Sequence, residues 1–375
     1  MSALDIFVIV LLGGGAMIGF VRGLELSLQQ SGDPEVVLLH NSNAAENLEN
    51  SSITDEVPTL ARTEFAAHLI KYGETPALSP ELTIAGRVER TAAGAQGPLA
   101  VLRGVDFDRV FLVRRQVALV EGSLPRPDEV LVGRLAHAKL GLNQTDVAIG
   151  QSLTIEGRPW RVSGRFAAPG TLLEAELWYR LDDLKLAMKR PNDVSVVAMR
   201  FDPDGDAAKQ MGYVDYFCRN RRPDLELMGS RESDYYASLR RHYAPLRTLA
   251  WLLVGLVAAA GGCGAVNTMY AAVAGRVREF GALQAVGFQR RAIAVSLIQE
   301  SVILAAGATL AASALALLLA QGVAVRFSMG AFTLQIDRAT LLVGCAAGLG
   351  LGVFGAVPPA VRAFRMPIPE ALKAV

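Results

Sequence analysis

The chain has 375 residues, of which 51% are hydrophobic and 19% charged, with a formal net charge of +1. That apolar share is high for a soluble protein, and the near-balanced charge excludes the strongly basic composition of a nucleic-acid binder. The balance hides an asymmetry: residues 246–375 hold ten Lys/Arg against four Asp/Glu, and residues 1–245 hold 27 against 32. An acidic soluble domain joined to an apolar, basic membrane domain follows.

In chain order, the first charge-free run is Ile6 to Val21. We read it as a retained transmembrane helix, residues 1–24. A cleaved signal peptide is the alternative, disfavoured because no Lys or Arg precedes the run and "GGGAMIGFVRG" offers only a weak small-residue cleavage site. Residues 25–229 read as a mixed α/β extracytoplasmic domain. "EVVLLH" is strand-like, and Thr54 is placed to cap a helix running to about Lys71. Short β-rich runs follow: "ELTIAGRVE", "PLAVLRGVD", "RVFLVRRQVALVEG", "DEVLVG", "QSLTIEGRPWRVSGRFA" and "AELWYRL". Gly157 and Pro159 predict a hairpin within "TIEGRPWRVSG". "DDLKLAMKR" and residues 205–219 read as helices, with the strand "DVSVVAMRF" between them. Residues 230–245 form a stalk helix, capped by Ser230 and bent at Pro245, that enters the membrane as one long helix.

Three further charge-free gaps lie between Arg247 and Arg276, Glu300 and Arg326, and Arg338 and Arg362. Each exceeds the roughly 20 apolar residues that cross a bilayer core. They define spans at 246–272, 293–325 and 338–361, for four transmembrane helices in all. Arg276, Arg278, Arg290 and Arg291 concentrate in segment 273–292, and Arg362, Arg365 and Lys373 in the tail 362–375. Positive-inside counting places both in the cytoplasm, and with four spans the N-terminus as well. Residues 22–245 then lie outside. Cys218 is alone in the external domain, so no disulfide forms within it.

Enzyme signatures are missing. There is no G-x-x-x-x-G-K-[ST] phosphate loop, H-E-x-x-H or G-x-S-x-G. His40, His68, His137 and His242 lack metal-ligand spacing and read as packing or surface residues. No catalytic, cofactor-binding or metal residue is expected.

The stretch "NTMYAAVAGRVREFGALQAVG" resembles the N-T-M-x-x-x-V-x-x-R-x-R-E-[IF]-G-x-L-x-A-[LV]-G signature of MacB/FtsX-like ABC transporter permeases, the mechanotransmission (type VII) class. The ending "VPPAVRAFRMPIPEALKAV" is similar to that family's closing P-A-x-R-A-x-x-x-x-P-x-x-A-L. Upstream, "SGDPEVVLLHNSNAAENLENSSI", "SPEL", "LRGVD", "VEGSLPRPDEVLVGR" and "EAELWYRLDDL" look like a subgroup with an N-terminal span and a large MacB-like periplasmic domain. Two departures stand out. Members have a basic amphipathic segment before the first span, where this sequence has only Met1 to Asp5. Their usual E-I-G is here Glu279–Phe280–Gly281.

The resemblance implies a permease subunit of the bacterial inner membrane, a homodimer whose motions are driven by a separate cytoplasmic ABC ATPase. That ATPase binds ATP-Mg; this chain needs no cofactor. A periplasmic adaptor (membrane fusion protein) is a further candidate partner, membrane lipid surrounds the spans, and no nucleic acid is implied. Residues from Arg276 to Gly287 then form the coupling helix. Phe280 and Leu283, joined by Gly287, are expected to share the face docked in a groove of the ATPase, and Arg276, Arg278 and Glu279 to orient it by ion pairs. Glu300 reads as a snorkelling or packed residue, or as part of the coupling. Gly344, Gly348 and Gly352 in the fourth span and Gly262 in the second suit close helix packing, within one subunit or across a dimer. A second function stays open: an FtsX-like regulatory transducer that activates an external cell-wall hydrolase and transports nothing. Such regulators usually carry a smaller external domain.

Overall fold

The computed structural model describes residues 3–45, 47–89, 97–319, 321–327, 330–334 and 336–365. It divides into two compact units: an α/β unit of Leu24–Tyr243 with Ala324–Thr333, and a helical unit of Met1–Gly23, Ala244–Val323 and Leu334–Val375. Helix α1 (Ala3–Ser31) begins in the helical unit and ends in the α/β unit.

The α/β unit is organised by a ten-stranded sheet. Its strands are β1 (Val36–Asn41), β2 (Leu78–Glu89), β3 (Leu99–Val105), β4 (Ala118–Gly122), β5 (Glu129–Gly133), β6 (Ser152–Ile155), β7 (Arg158–Ala167), β8 (Leu177–Arg180), β9 (Val196–Arg200) and β10 (Leu227–Arg231). The spatial order is β10-β1-β9-β2-β3-β8-β5-β7-β4, with β6 pairing β7 and β2. Most neighbours are antiparallel; β3–β8 and β5–β7 are parallel. The hairpin read from "TIEGRPWRV" is β6–β7, with Arg158 opposite Ile155. Its turn residues Glu156 (φ 49°) and Gly157 (φ 76°) both take positive φ, as a two-residue turn of type I′ requires.

Period-two side-chain alternation sends the strands' apolar residues into cores on opposite faces. Val37 and Leu39 of β1 join Val197 and Met199 of β9 in a cluster built on Phe65 and Phe217. Leu177 and Tyr179 of β8 point into a second cluster with Leu102, Val132 and Trp160. Trp178, between them, turns to a third with Phe166 and Leu131.

Two helix expectations change. The helix expected from Thr54 to Lys71 runs only from Val57 to Glu64: Ile53–Thr54 pairs as a strand with Asp193–Val194 before its start, and Lys71–Tyr72 pairs with Thr75–Pro76 beyond its end. The long stalk is two helices, α2 (Glu232–His242) and α3 (Ala244–Gly275), separated at Tyr243. Pro245 has no N–H to give to a carbonyl of the preceding turn, which accounts for the interruption. Arg231, not Ser230, occupies the cap position; the Ser230 hydroxyl lies 3.2 Å from His40 Nε2.

In the helical unit, α3 is followed by α4 (Val277–Ala285), α5 (Arg290–Leu319) and α6 (Arg338–Arg365). Among the described residues, Ala244–Gly275, Arg290–Leu319 and Arg338–Val361 are long and apolar enough to cross a membrane. The expected third span, 293–325, ends early: α5 stops at Leu319, and Ala324–Arg326 pairs with Ala331–Thr333 in a hairpin that belongs to the α/β unit. Asp337 begins α6 by accepting the Thr340 hydroxyl at 2.7 Å and its N–H at 2.8 Å, an N-cap that holds its carboxyl below the usual range. Of the expected tail 362–375, residues 366–375 lie outside the described residues.

Small residues set the helix contacts. A Cβ at Gly352 would stand 2.5 Å from Ala305 Cβ, so α5 and α6 approach there at a distance only glycine permits. Ser301 Oγ adds a hydrogen bond to the Gly352 carbonyl at 2.8 Å. At Gly262 a Cβ would meet Leu351 Cδ2 at 3.4 Å, ordinary contact, and at Gly344 nothing within 4 Å. Gly348 lies between Gly344 and Gly352 on α6.

Candidate functional site

The basic, glycine-punctuated stretch forms a compact elbow. Arg276 donates Nε to Glu279 at 3.1 Å and Nη1 to the two Glu300 oxygens at 3.0 and 3.2 Å. Its guanidinium also stands 5.8 Å from the Phe280 ring centroid. These groups are solvent-exposed, so the pairs orient more than they stabilise. Glu300 is thus a partner of the elbow arginine. The helix ends in a Schellman motif: Phe288 N–H bonds the Leu283 carbonyl and Gly287 N–H the Gln284 carbonyl, both at 3.1 Å. Gly287 carries the required positive φ of 107°.

The elbow departs from the sequence expectation at Phe280. Phe280 and Leu283 do not share a face open to a partner. Phe280 is 6% exposed and packs with Val273, Ile293, Leu297 and Ala360 of its own chain. A separation of three residues leaves side chains about 60° apart around a helix, enough to put one inward and one outward. Leu283 is 40% exposed, and Val286 and Phe288 extend the exposed apolar row. Arg278, Arg290 and Arg291 are exposed beside it.

Sequence reading missed a charge network inside the α/β unit. Arg103 forms a bidentate pair with Glu176, both bonds 2.7 Å, and reaches Glu81 at 2.6 Å. Arg114 bonds the same Glu81 at 2.8 and 2.9 Å, and Glu232 at 2.5 Å. All five side chains are buried. Trp178 Nε1–H donates to Glu176 at 2.8 Å, and the Asp33 backbone N–H to Glu232 at 3.2 Å. The network therefore joins strands β2, β3 and β8 to the first residue of α2 and to the chain leaving α1. A second clamp holds the same place, since Arg200 pairs with Asp33 and Glu35 and bonds the Val113 carbonyl. Gly32 packs so closely on α2 that a Cβ would stand 2.7 Å from Ser233 Cα.

Two carboxylates on one guanidinium shift in opposite directions. Burial pushes Glu81 up, but Arg114 and Arg103 together outweigh it and hold its carboxyl below the usual range. Burial dominates at Glu232, which has Arg114 alone as cationic partner, and its carboxyl is raised.

The histidines serve packing and hydrogen bonding: His40 is buried, His68 lies against Phe201 and Tyr213, and His137 Nδ1 is 3.0 Å from the Arg134 carbonyl. No group of three or more His, Cys, Asp or Glu that could hold a metal ion occurs among the described residues. Cys218 is buried without a disulfide, and burial pushes its thiol up to about 11.

The elbow lies between two helices long and apolar enough to cross a membrane, in a chain that also carries an α/β domain. Residues 251–368 match the family model for the FtsX-like permease C-terminal domain, so this part of the chain is such a domain. No curated protein matches the chain. Among solved structures it is similar to the periplasmic region of MacB from Actinobacillus actinomycetemcomitans, at 10% identity and a TM-score of 0.41, covering 60% of this chain and 97% of that one. It is also similar to the extracellular domain of the noncanonic ABC-type transporter YknZ from Gram-positive bacteria, at 11% identity and a TM-score of 0.38, covering 52% and 100%.

Proposed function

We propose that the chain is the permease subunit of an ABC transporter, turning ATP hydrolysis by a separate cytoplasmic ATPase into movement of a periplasmic domain that exports or extracts a substrate. The observation that carries this reading is the FtsX-like C-terminal domain with its elbow, whose exposed Leu283, Val286 and Phe288 stand among arginines. In this reading α4 is the coupling helix. Leu283, Val286 and Phe288 enter the ATPase groove, Arg278 fixes orientation, and Phe280 anchors the helix to α3, α5 and α6 so that force on it reaches the spans. Arg276 with Glu279 and Glu300 holds the elbow shape, and Gly287 sets where the helix stops. Two permease chains form the working unit, with ATP-Mg on the two ATPases and α1 as a fourth span. A periplasmic adaptor completes the route where one is used.

Within the α/β unit, the buried network gives this mechanism a rigid start. Motion arriving at Glu232 acts on three strands at once, because Arg114 links it to Glu81, and Glu81 in turn to Arg103 and Glu176.

The orientation is testable directly. Cysteine placed at Arg290 is expected to react with an impermeant maleimide only after the cells are opened, and one at Asn143 in intact spheroplasts. Labelling of both from outside refutes a cytoplasmic elbow and, with it, coupling to a cytoplasmic ATPase.

A further inference from the structure

A cleft of about 560 Å³ opens in the α/β unit beside α2. That is the size of a small-molecule site, and nothing in the coupling mechanism uses it. One wall is a single face of α2, with Tyr235, Leu239 and His242 spaced at i, i+4 and i+7. Tyr235 and Leu239 are each 7% exposed and make an apolar floor, while Leu99 of β3, 48% exposed, offers an uncovered apolar rim.

Charge is placed asymmetrically around that floor. Lys139 lines the cleft although only 8% exposed, and its Nζ donates to the Phe327 carbonyl at 3.0 Å. Lysine is seldom this deeply buried, and burial holds its ammonium below the usual range. Arg241 and His242 stand at the mouth. Among the described lining residues the one carboxylate is Glu49, whose carboxyl burial and then Glu176 push up.

We propose that this cleft binds an anionic amphiphile of the membrane. Its alkyl portion lies on Tyr235, Leu239 and Leu99, and its carboxylate or phosphate head meets Lys139 and Arg241. Chain order favours a lipid source over a free anion, because Tyr243, the last lining residue, directly precedes the apolar helix Ala244–Gly275. The proposal deepens the export reading by naming a cargo class. Since α2 is also the stalk, an occupied cleft loads the element through which force enters.

The test uses the full-length protein in nanodiscs, without ATP or ATPase, and a diazirine fatty acid mapped by mass spectrometry. Peptides containing Leu99 and Leu239 are expected to be labelled, and dodecyl phosphate to compete while inorganic phosphate and dodecyl maltoside do not. Leu99→Glu, at the exposed rim where folding is not at stake, and Lys139→Glu should each cut that labelling by at least about tenfold, the effect of roughly 1.4 kcal/mol in binding. Label on the spans should stay unchanged. Unlabelled cleft peptides, equal labelling in Leu99→Glu, or competition by inorganic phosphate or dodecyl maltoside would overturn the proposal. Because the assay needs no ATPase, its failure is distinguishable from failure of the export reading.

Discussion

Arg114→Met is expected to destabilise the α/β unit by about 3–5 kcal/mol, the usual cost of removing one partner from a buried ionic network. The substitution deletes three hydrogen bonds and leaves Glu81 with Arg103 alone and Glu232 with no cation. The methionine keeps most of the side-chain volume, so the loss reports the orphaned Glu232 and the weakened pairing of Glu81, and not a cavity. Urea unfolding followed by the fluorescence of Trp160 and Trp178, both buried in this unit, measures it. A midpoint unchanged from wild type would show that the network contributes nothing to stability.

The same network fixes a sign for pH. Glu81 has a depressed folded pKa, so its contribution is present above the ordinary carboxylate value and disappears as the pH falls through the folded one. Glu232 is raised, so its charged form costs stability at neutral pH and that cost is relieved as the pH falls through its folded value. Acid loss of stability is therefore carried by Glu81 and partly offset by Glu232.

Leu283→Asp is expected to reduce ATPase binding by at least about a hundredfold while leaving insertion and folding intact. Fully burying an apolar side chain of this size is worth roughly 1.5–3 kcal/mol. Placing an unpaired carboxylate in the same groove costs a few more, and about 2.8 kcal/mol already gives two decades. Because Leu283 is exposed in this chain, the substitution removes nothing from its own core. Phe280→Asp is the instructive contrast. It should lose the ATPase too, but by collapsing the elbow, since it puts a charge among Val273, Ile293, Leu297 and Ala360. The pair separates a contact surface from its scaffold. Co-purification of the ATPase with the Leu283→Asp protein at wild-type stoichiometry would remove α4 from the coupling role.

Much of this architecture was legible in the sequence because its signals are local. Charge-free runs mark the three apolar helices, Gly287 marks the end of α4, and Gly157 the β6–β7 turn. The family motif points to the domain found at residues 251–368. What could not be read depends on partners distant in the chain. Phe280 reads as outward in the sequence because periodicity alone does not say which stripe of a short helix its own neighbours will cover; Ile293 and Ala360 decide that. Glu81, Arg103, Arg114, Glu176 and Glu232 look like ordinary polar positions until the sheet order brings them together. Thr54 failed as a cap for the same reason, its strand partner being Asp193. The cleft likewise needs β3, Lys139 and α2 in one place, a juxtaposition no window of sequence contains.

In the proposed mechanism this chain transmits ATP energy that a separate ATPase releases. The most direct measurement is ATP turnover by the purified protein in nanodiscs, alone and after adding the ATPase that co-purifies from its host membranes. No turnover by the chain alone is expected. With the partner, hydrolysis is expected that the wild-type chain stimulates and the Leu283→Asp chain does not. Turnover by the chain alone that persists through removal of every co-purifying ATPase, or stimulation unchanged by Leu283→Asp, would contradict that mechanism.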